Sequence, residues 1–252
     1  IYLLTSEHEI ITYRPDTDEL TSLGELDCPI PEGTYVDMSM DHFGTLWILS
    51  RPSDPTTPGF VYTTIPGKTT CSPTAYDPSK SDMQLYRMTF VPDAGAVSDE
   101  AETLFGVGSP LADSVTDENE LIQVKPKLGR WDMNIQSFTD LVEINRKHKG
   151  PPEIAADKNS EIWLLMAEPA PRQFIKVNPD TAAFETTIAI PEIFKGTDAG
   201  KSLFTWWHGR PYLFLHSSEK DQTYVYNLSY LFDPNEPMST SIPTLGFHVI
   251  AV

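Results

Sequence analysis

Two short phrases recur in this chain, and their recurrence constrains the fold more than any other sequence feature. The first is a proline-containing turn followed by a strand, and it occurs at Tyr13–Leu26 and again at Val177–Ile190. The second is a polar turn that leads into an apolar strand with Trp at the same place, at Asp41–Leu49 and Asp157–Leu165. Repeats on this scale indicate a radial or linear array of similar units. Because each unit consists of short strands, we predict an all-β fold, a β-propeller.

Four complete blades of four strands each can be placed by their apolar runs and the turns between them. Their innermost strands are predicted at 35–40, 85–91, 153–156 and 203–207. The remaining strands are predicted at 45–49, 60–65 and 74–76, then at 103–107, 120–124 and 135–138, then at 162–166, 173–177 and 185–190, and finally at 212–215, 223–226 and 239–242.

An incomplete blade remains at each end of the chain. Ile1–Thr5, Glu9–Tyr13 and Leu20–Leu26 supply three strands, and Phe247–Val252 supplies a fourth. If the C-terminal strand is the innermost strand of that blade, it closes the ring and removes an open sheet edge. This predicts a five-bladed β-propeller in a single domain over residues 1–252. Six blades stay open as an alternative if the long region Leu85–Lys149 merges two units.

The charge of the chain excludes one class of partner. Its 36 acidic and 18 basic residues give a net charge of −18, which repels nucleic acids and anionic lipid surfaces. Such a charge can serve solubility alone, or it can attract cations or basic proteins. The sequence contains no apolar run of about 18 residues, so we predict no transmembrane segment.

The two cysteines, Cys28 and Cys71, each follow a predicted strand pair in consecutive blades. Equivalent places in neighbouring blades lie close in space, so we predict a disulfide between them, with two unrelated buried thiols as the alternative. A disulfide indicates an extracytoplasmic protein, either periplasmic, on the outer surface or secreted. The chain begins directly at a strand, which suggests that the numbering starts after a removed export signal or inside a longer precursor.

Three charged residues occupy corresponding positions on innermost strands, and we expect them to face the central channel. They are Asp37, Arg87 and Glu153. Two carboxylates beside a pocket are the groups that glycoside cleavage needs, at separations of roughly 5 to 9 Å, and five-bladed propellers host such hydrolases. The alternative is structural, with Asp37 and Glu153 paired to Arg87 and joining the blades.

The most distinctive local cluster is Trp206, Trp207 and His208. On an alternating strand two adjacent Trp side chains face opposite ways, so one packs between blades and the other reaches the channel or its rim. We predict that Trp207 beside His208 stacks on a sugar ring or another flat ligand. The alternative is a packed inter-blade aromatic beside a hydrogen-bonded histidine.

Other candidate features are weaker. The turn Asp16–Glu19 spaces oxygen atoms as some calcium loops do, but turn chemistry explains it better, so we predict no cofactor and keep calcium as a minor alternative. The polar segments Pro92–Glu102 and Ser109–Asn119 are either tolerated insertions or the rim of a binding face. The six histidines lack ligand spacing, and nucleophile and phosphate-binding motifs are absent from the sequence.

Several segments together resemble a family of exported, often lipoprotein-like, β-propeller proteins that is abundant in myxobacteria and their relatives. The resemblance extends over nearly the whole chain and is carried by Ile1–Thr5, Ile11–Thr17, Leu23–Pro29, Met38–Asp41, Cys71, Ala101–Phe105 and Trp206–Trp207. These motifs are structural, and members are mostly of uncharacterised function. The resemblance therefore implies a fold and an extracytoplasmic location and contributes no catalytic residue.

The sequence alone does not identify an activity. Our leading hypothesis is a non-catalytic propeller that binds a protein partner or a glycan at the channel mouth and the face with the inserted loops, using Trp207, His208, Arg87, Asp37 and Glu153. The rival is a glycoside hydrolase or lyase that uses Asp37 and Glu153. A third hypothesis, a subunit of a larger envelope complex held by its acidic surface, is consistent with the charge.

Overall fold

The computed structural model describes most of the chain. The described residues are 1–31, 34–52, 59–80, 83–93, 101–110, 123–124, 126–144, 148–149, 152–166, 172–191, 202–236 and 243–252. Their regular elements are β-strands, apart from short 3₁₀ turns at Pro78–Lys80 and Ser229–Leu231. Within these residues, no helix has the length and apolar character needed to cross a membrane.

Five four-stranded antiparallel sheets form the blades of a closed ring. Blade 1 contains β1 (Tyr2–Thr5), β2 (Glu9–Arg14), β3 (Glu19–Glu25) and the last strand of the chain, β22 (Val249–Ala251). Blade 2 contains β4 (Tyr35–Met40), β5 (Leu46–Arg51), β6 (Phe60–Thr64) and β7 (Ser72–Pro73). Blade 3 contains β8 (Met83–Pro92), β9 (Glu102–Pro110), β11 (Lys127–Asp132) and β12 (Ser137–Glu143).

The chain continues through two further blades and a small ribbon. Blade 4 contains β14 (Glu153–Ala156), β15 (Ile162–Met166), β16 (Gln173–Val177) and β17 (Phe184–Ala189). Blade 5 contains β18 (Ser202–Trp207), β19 (Arg210–Ser217), β20 (Gln222–Asn227) and β21 (Thr244–Leu245). The ribbon pairs β10 (Gln123–Val124) with β13 (His148–Lys149).

The predicted ring closure is confirmed, because β22 forms the first strand of blade 1 in the order β22-β1-β2-β3. Ala251 pairs with Leu4 of β1, and the Ser6 N–H donates to the His248 carbonyl over 2.9 Å. On the other side, the Thr223 hydroxyl of blade 5 donates to the Phe247 carbonyl, also over 2.9 Å. The closing segment is thus bound to the first blade and to the last.

The strand positions differ from prediction mainly in blade 3. Strands predicted at 120–124 and 135–138 are replaced by β11 and β12, which begin later in the chain. The reason is that β11 is polar in sequence, with Lys127 and Arg130, and only Leu128 and Gly129 are buried, so its apolar signal is weak. The outer strand predicted at 239–242 falls outside the described residues, and blade 5 instead ends with β21.

The hydrophobic core is divided into layers between neighbouring blades, as expected when each sheet buries both of its faces. Between blades 4 and 5, Leu165 and Phe174 pack against Phe204 and Leu213, and all four are 0 to 2% exposed. Burying an aliphatic or aromatic side chain of this size stabilises a fold by about 1.5–3 kcal/mol. The layers hold the innermost strands at fixed positions around the channel.

The predicted disulfide is confirmed, because Cys28 and Cys71 are bonded. Cys28 follows β3 of blade 1, and Cys71 precedes β7 of blade 2. The neighbouring backbone is paired as well, since Asp27 forms a parallel bridge with Thr70. The disulfide therefore joins the outer strands of two consecutive blades.

Candidate functional site

The innermost strands β22, β4, β8, β14 and β18 surround a central channel, and contacts join β22 to β4, β4 to β8, β8 to β14 and β14 to β18. We define the hairpin face as the face where each innermost strand of blades 2 to 5 turns into the second strand of its blade. A cavity of about 380 Å³ lies at this end of the channel. All five blades line it, for example through Met40, Phe90, Ala156, Trp207 and Val252. Since these residues lie toward the C-terminal ends of the strands, the cavity belongs to the hairpin face.

Trp206 and Trp207 lie on opposite sides of β18, as alternation along a strand requires. Trp206 packs toward blade 4, with its ring centroid 6.1 Å from that of Trp163. Trp207 stacks on His208 with the ring centroids 4.2 Å apart and the planes within 5°. Both Trp side chains line the central cavity. His208 sits in the tight turn after β18 with a φ of 49°, so the turn holds its ring against Trp207.

The three predicted charged residues form one layer of the channel. The Arg87 guanidinium donates to both carboxylate oxygens of Glu153, from Nε and Nη2, and each distance is 2.8 Å. The same Nε lies 3.9 Å from Asp37 Oδ1. Each residue directly precedes a residue that lines the cavity, namely Met88, Ile154 and Met38. The layer therefore lies immediately behind the cavity.

Two side chains of β4 also satisfy the backbone of β8. The Met88 N–H donates to Asp37 Oδ2 over 2.7 Å, and the Phe90 N–H donates to Ser39 Oγ over 3.2 Å. An innermost strand has a free edge toward the channel, and a buried N–H on that edge needs an acceptor. Sequence reasoning missed Ser39, although its position two residues after Asp37 places it on the same side of the strand.

The two carboxylates are not too far apart for glycoside cleavage. Because Arg87 Nε is 2.8 Å from Glu153 Oε2 and 3.9 Å from Asp37 Oδ1, these two oxygen atoms can be no farther apart than the sum of the two distances. That bound lies below the upper limit for catalytic carboxylate pairs, which are separated by roughly 5–9.5 Å. However, Arg87 occupies the space between them, and none of the three residues lines the cavity. The arrangement matches the structural alternative in which the triad joins blades 2, 3 and 4.

Burial controls the ionisation of this layer. It raises the pKa of Asp37 to about 7, although Arg87 opposes the shift, while the Glu153 charge adds to it. Burial also disfavours the Arg87 charge, but Glu153 and Asp37 outweigh that penalty and hold the pKa of the guanidinium above its usual value. The protonation of Asp37 therefore changes near neutral pH.

We predict that Asp37 makes stability depend on pH. Its pKa is higher in the folded protein, about 7, than the ordinary 3.8, so the folded state binds the proton more tightly. The stability gained this way is complete below the ordinary pKa and is lost as the pH rises through 7. Relative to Asp37→Asn, the wild-type free energy of unfolding should fall by about 2–3 kcal/mol between about pH 5 and pH 8. Urea titrations of both proteins across this range measure the difference, and parallel pH curves would contradict the assignment.

The acidic turn Asp16–Glu19 contacts groups of its own blade. Tyr13 donates its hydroxyl hydrogen to Asp18 Oδ1 over 2.8 Å, and Arg14 lies 4.0 Å from Asp16 and 3.8 Å from Glu19. In the part of the chain that the structure describes, no group of three or more His, Cys, Asp or Glu side chains is arranged to hold a metal ion.

The described ends of the two inserted segments lie at opposite ends of β9: Ala101–Glu102 closes the first segment at the hairpin face, and Ser109–Pro110 opens the second at the other end of the strand. Residues 94–100 and 111–119 lie outside the described residues, so the prediction that these segments form the rim of a binding face stays a prediction. The base of the first insert is held in place, since Glu102 accepts the His42 N–H of the neighbouring blade over 2.9 Å.

The chain is similar in structure to several solved propeller proteins. The exo-β-1,3-galactanase from Clostridium thermocellum superposes with a TM-score of 0.55 at 9% identity, covering 99% of this chain and 53% of the galactanase. The exo-β-1,3-galactanase from Phanerochaete chrysosporium, solved with β-1,3-galactotriose, gives a TM-score of 0.53 at 8% identity over 95% of this chain and 54% of that one. The present chain therefore spans about half the length of these galactanases.

A propeller from a protein complex also superposes on this chain, with a TM-score and identity comparable to those of the galactanases. A chain of the nidogen/laminin complex gives a TM-score of 0.50 at 9% identity, covering 99% of this chain and 95% of that chain. No protein-family model matches the sequence, and no curated protein matches it either. At such low identity the structural similarities establish the five-bladed propeller fold and leave the choice between binding and catalysis open.

Proposed function

We propose that this chain is an extracytoplasmic, non-catalytic binding propeller that takes its ligand at the hairpin face, in the central cavity. The observation that carries the proposal is the cavity itself, which all five blades line. Its volume of about 380 Å³ falls within the range of small-molecule pockets, roughly 300–1,000 Å³. The disulfide between Cys28 and Cys71 supports an oxidising location outside the cytoplasm.

The lining of the cavity suits recognition. Met40, Phe90 and Trp207 offer apolar surface, while Ser39 and Thr205 add hydroxyl groups. The charged layer behind the cavity is nearly closed to water, with side-chain exposures of 7 to 13%. Because these charges are buried and paired with one another, we assign them a structural role behind the cavity wall and not a catalytic role inside the cavity. Either a glycan end or a protruding group of a protein partner fits this description.

The proposal is tested by binding assays on the wild type and Trp207→Ala. We expect a specific ligand, found on a glycan array or by affinity capture from the cell envelope, to lose at least about tenfold in affinity with the variant. The matched control is Phe43→Ala, which removes an aromatic side chain that is 78% exposed in the blade 2 turn, on the same face but away from the cavity lining. If both variants bind as the wild type does, the cavity is not the binding site.

A glycoside hydrolase is the second candidate, favoured by one observation. Asp37, with its pKa raised to about 7, can hold a proton near neutral pH, while Glu153 lies across the same guanidinium. Hydrolysis of β-linked oligosaccharides by the purified protein, lost in Asp37→Asn and in Glu153→Gln, would establish it. Absence of turnover under conditions where the protein binds its ligand would leave the binding function alone.

A further inference from the structure

A second depression on the hairpin face lies between blades 4 and 5. It has a volume of about 480 Å³ and is built entirely from described residues. One wall is the turn 157–161 of blade 4, and another is the segment 229–236 that follows β20. Thr186 and Ile188 of the outer strand β17 complete it. We call this depression the inter-blade groove; Trp206 borders both the groove and the central cavity.

Three aromatic rings form one side of the inter-blade groove. Phe232 lies at the centre, with its ring centroid 5.0 Å from Trp163 and 5.0 Å from Trp206, both in edge-to-face geometry. All three residues line the groove. Edge-to-face packing joins the three rings into one continuous apolar surface. Such a surface suits a ligand that has an apolar face of its own.

The blade 2 turn and the equivalent blade 4 turn beside the groove differ in how the Trp indole N–H is paired. There the Trp47 indole N–H donates to Asp41 Oδ2 over 3.1 Å. Trp163 follows Asp157 at the same spacing, yet its N–H has no hydrogen-bond partner among the described residues, and neither has that of Trp206. Buried donors without a partner are uncommon and costly, by roughly 1–3 kcal/mol each. Blade 4 therefore has the same two residues, but the Trp163 indole N–H is buried and has no hydrogen-bond partner among the described residues.

The two oxygen atoms of the Asp157 carboxylate, with which the Trp163 indole N–H does not pair, differ in their contacts. Asp157 Oδ1 accepts the backbone N–H groups of Asn159 and Glu161 over 2.8 and 3.0 Å, which fixes the turn. Among the residues that the structure describes, its Oδ2 has one contact, a long one of 3.5 Å to the Asn159 side-chain amide. A hydroxyl group both donates and accepts, so one hydroxyl can pair with Asp157 Oδ2 and with an indole N–H once the ring turns toward it.

The charged residues around the groove favour a neutral ligand over a charged one. Its lining contains the carboxylates of Asp157, Glu161, Asp233 and Glu236 and the cations Lys158 and Arg210. Glu236 and Arg210 already pair over 3.1 Å, and Glu161 pairs with Lys176 over 3.0 Å. The acidic excess repels anionic ligands, and an ammonium group cannot accept the unpaired indole N–H groups. A neutral ring that carries hydroxyl groups meets every requirement.

We propose that the inter-blade groove binds one neutral sugar unit, with an apolar face of the ring against Trp206 and Phe232 and its hydroxyl groups toward Asp157 and Trp163. This site is separate from the central cavity and does not depend on the function proposed for it. Because both indole N–H groups are covered in the empty groove, binding requires a small rotation of the rings. The wild-type tryptophan fluorescence should therefore change on binding.

The test uses a panel of neutral monosaccharides and oligosaccharides with calorimetric titration and a glycan array. We expect saturable binding by the wild type and a loss of at least about tenfold in Thr186→Tyr, which fills the groove from an exposed strand. The matched control is Thr187→Tyr, on the same strand but outside the groove lining, which should bind as the wild type does. Asp157→Asn keeps the turn acceptor, replaces the free oxygen with a donor, and should also weaken binding.

Each outcome decides the inference. Binding that survives Trp207→Ala but is lost in Thr186→Tyr supports the groove and leaves the central cavity open to a separate ligand. Binding that is lost in Trp207→Ala and kept in Thr186→Tyr overturns the groove and supports the cavity. No binding of any neutral sugar, in a protein that unfolds as the wild type does, overturns the inference and leaves the proposed function to its own test.

Discussion

A chain that ends at Gly246 should lose at least about 5 kcal/mol of folding stability, or fail to fold cooperatively. The missing residues include β22, whose Val249 and Ala251 are 2% and 0% exposed. Ala251 packs in the layer between blades 1 and 2, and Val249 packs in the layer between blades 1 and 5. Their loss leaves the edge of β1 unpaired inside the channel and opens the ring between its first and last blades. Urea denaturation followed by tryptophan fluorescence and circular dichroism measures the effect.

A milder variant and a rescue experiment separate ring closure from a general loss of residues. Thr223→Val removes the hydroxyl that donates to the Phe247 carbonyl and receives the Val249 N–H over 3.3 Å, and it should cost about 1–3 kcal/mol. A synthetic peptide of residues 247–252 should restore part of the stability of the truncated chain as its concentration rises. If the truncated chain unfolds at the wild-type urea midpoint, β22 does not close a stabilising ring.

The strands that the sequence predicts well are those with strong apolar patterns. β4 and β14 occur at the predicted residues, because each is followed by the repeated turn and a Trp-bearing strand. The polar strand β11 was placed wrongly because two buried positions among six give little periodicity. The closing strand was predictable from counting alone, since three strands at one end and one at the other complete a blade.

The charged layer could be predicted because register alone brings its members together. Asp37, Arg87 and Glu153 lie on innermost strands, and equivalent positions of neighbouring blades meet at the channel. The inter-blade groove could not be predicted in the same way. Phe232 and Asp233 follow β20 in an irregular segment that has no repeat, and whether Trp163 pairs with Asp157 depends on the rotation of one side chain.

Replacing Arg87 with Met should cost about 3–5 kcal/mol, which is the usual cost of leaving a buried charge without its partner. The substitution keeps most of the side-chain length but removes both hydrogen bonds to Glu153 and the charge beside Asp37. Because the two carboxylates must then be buried together, they should take up protons, and the loss should be larger at about pH 8 than at about pH 5. Arg87→Lys should keep only part of the wild-type stability, since an ammonium group cannot donate the two parallel hydrogen bonds that the guanidinium donates to Glu153.

The control for Arg87→Met is the same change at a surface arginine. Arg14 lies 4.0 and 3.8 Å from two carboxylates of its own turn, but its side chain is 63% exposed, so Arg14→Met should change stability by less than about 1 kcal/mol. The double variant Arg87→Met with Glu153→Gln should be more stable than Arg87→Met alone, because one unpaired charge is removed. Equal losses at the two arginines would mean that the charged layer does not hold blades 2, 3 and 4 together. In that case the hydrolase candidate would gain, since a carboxylate pair without a structural role would need another explanation.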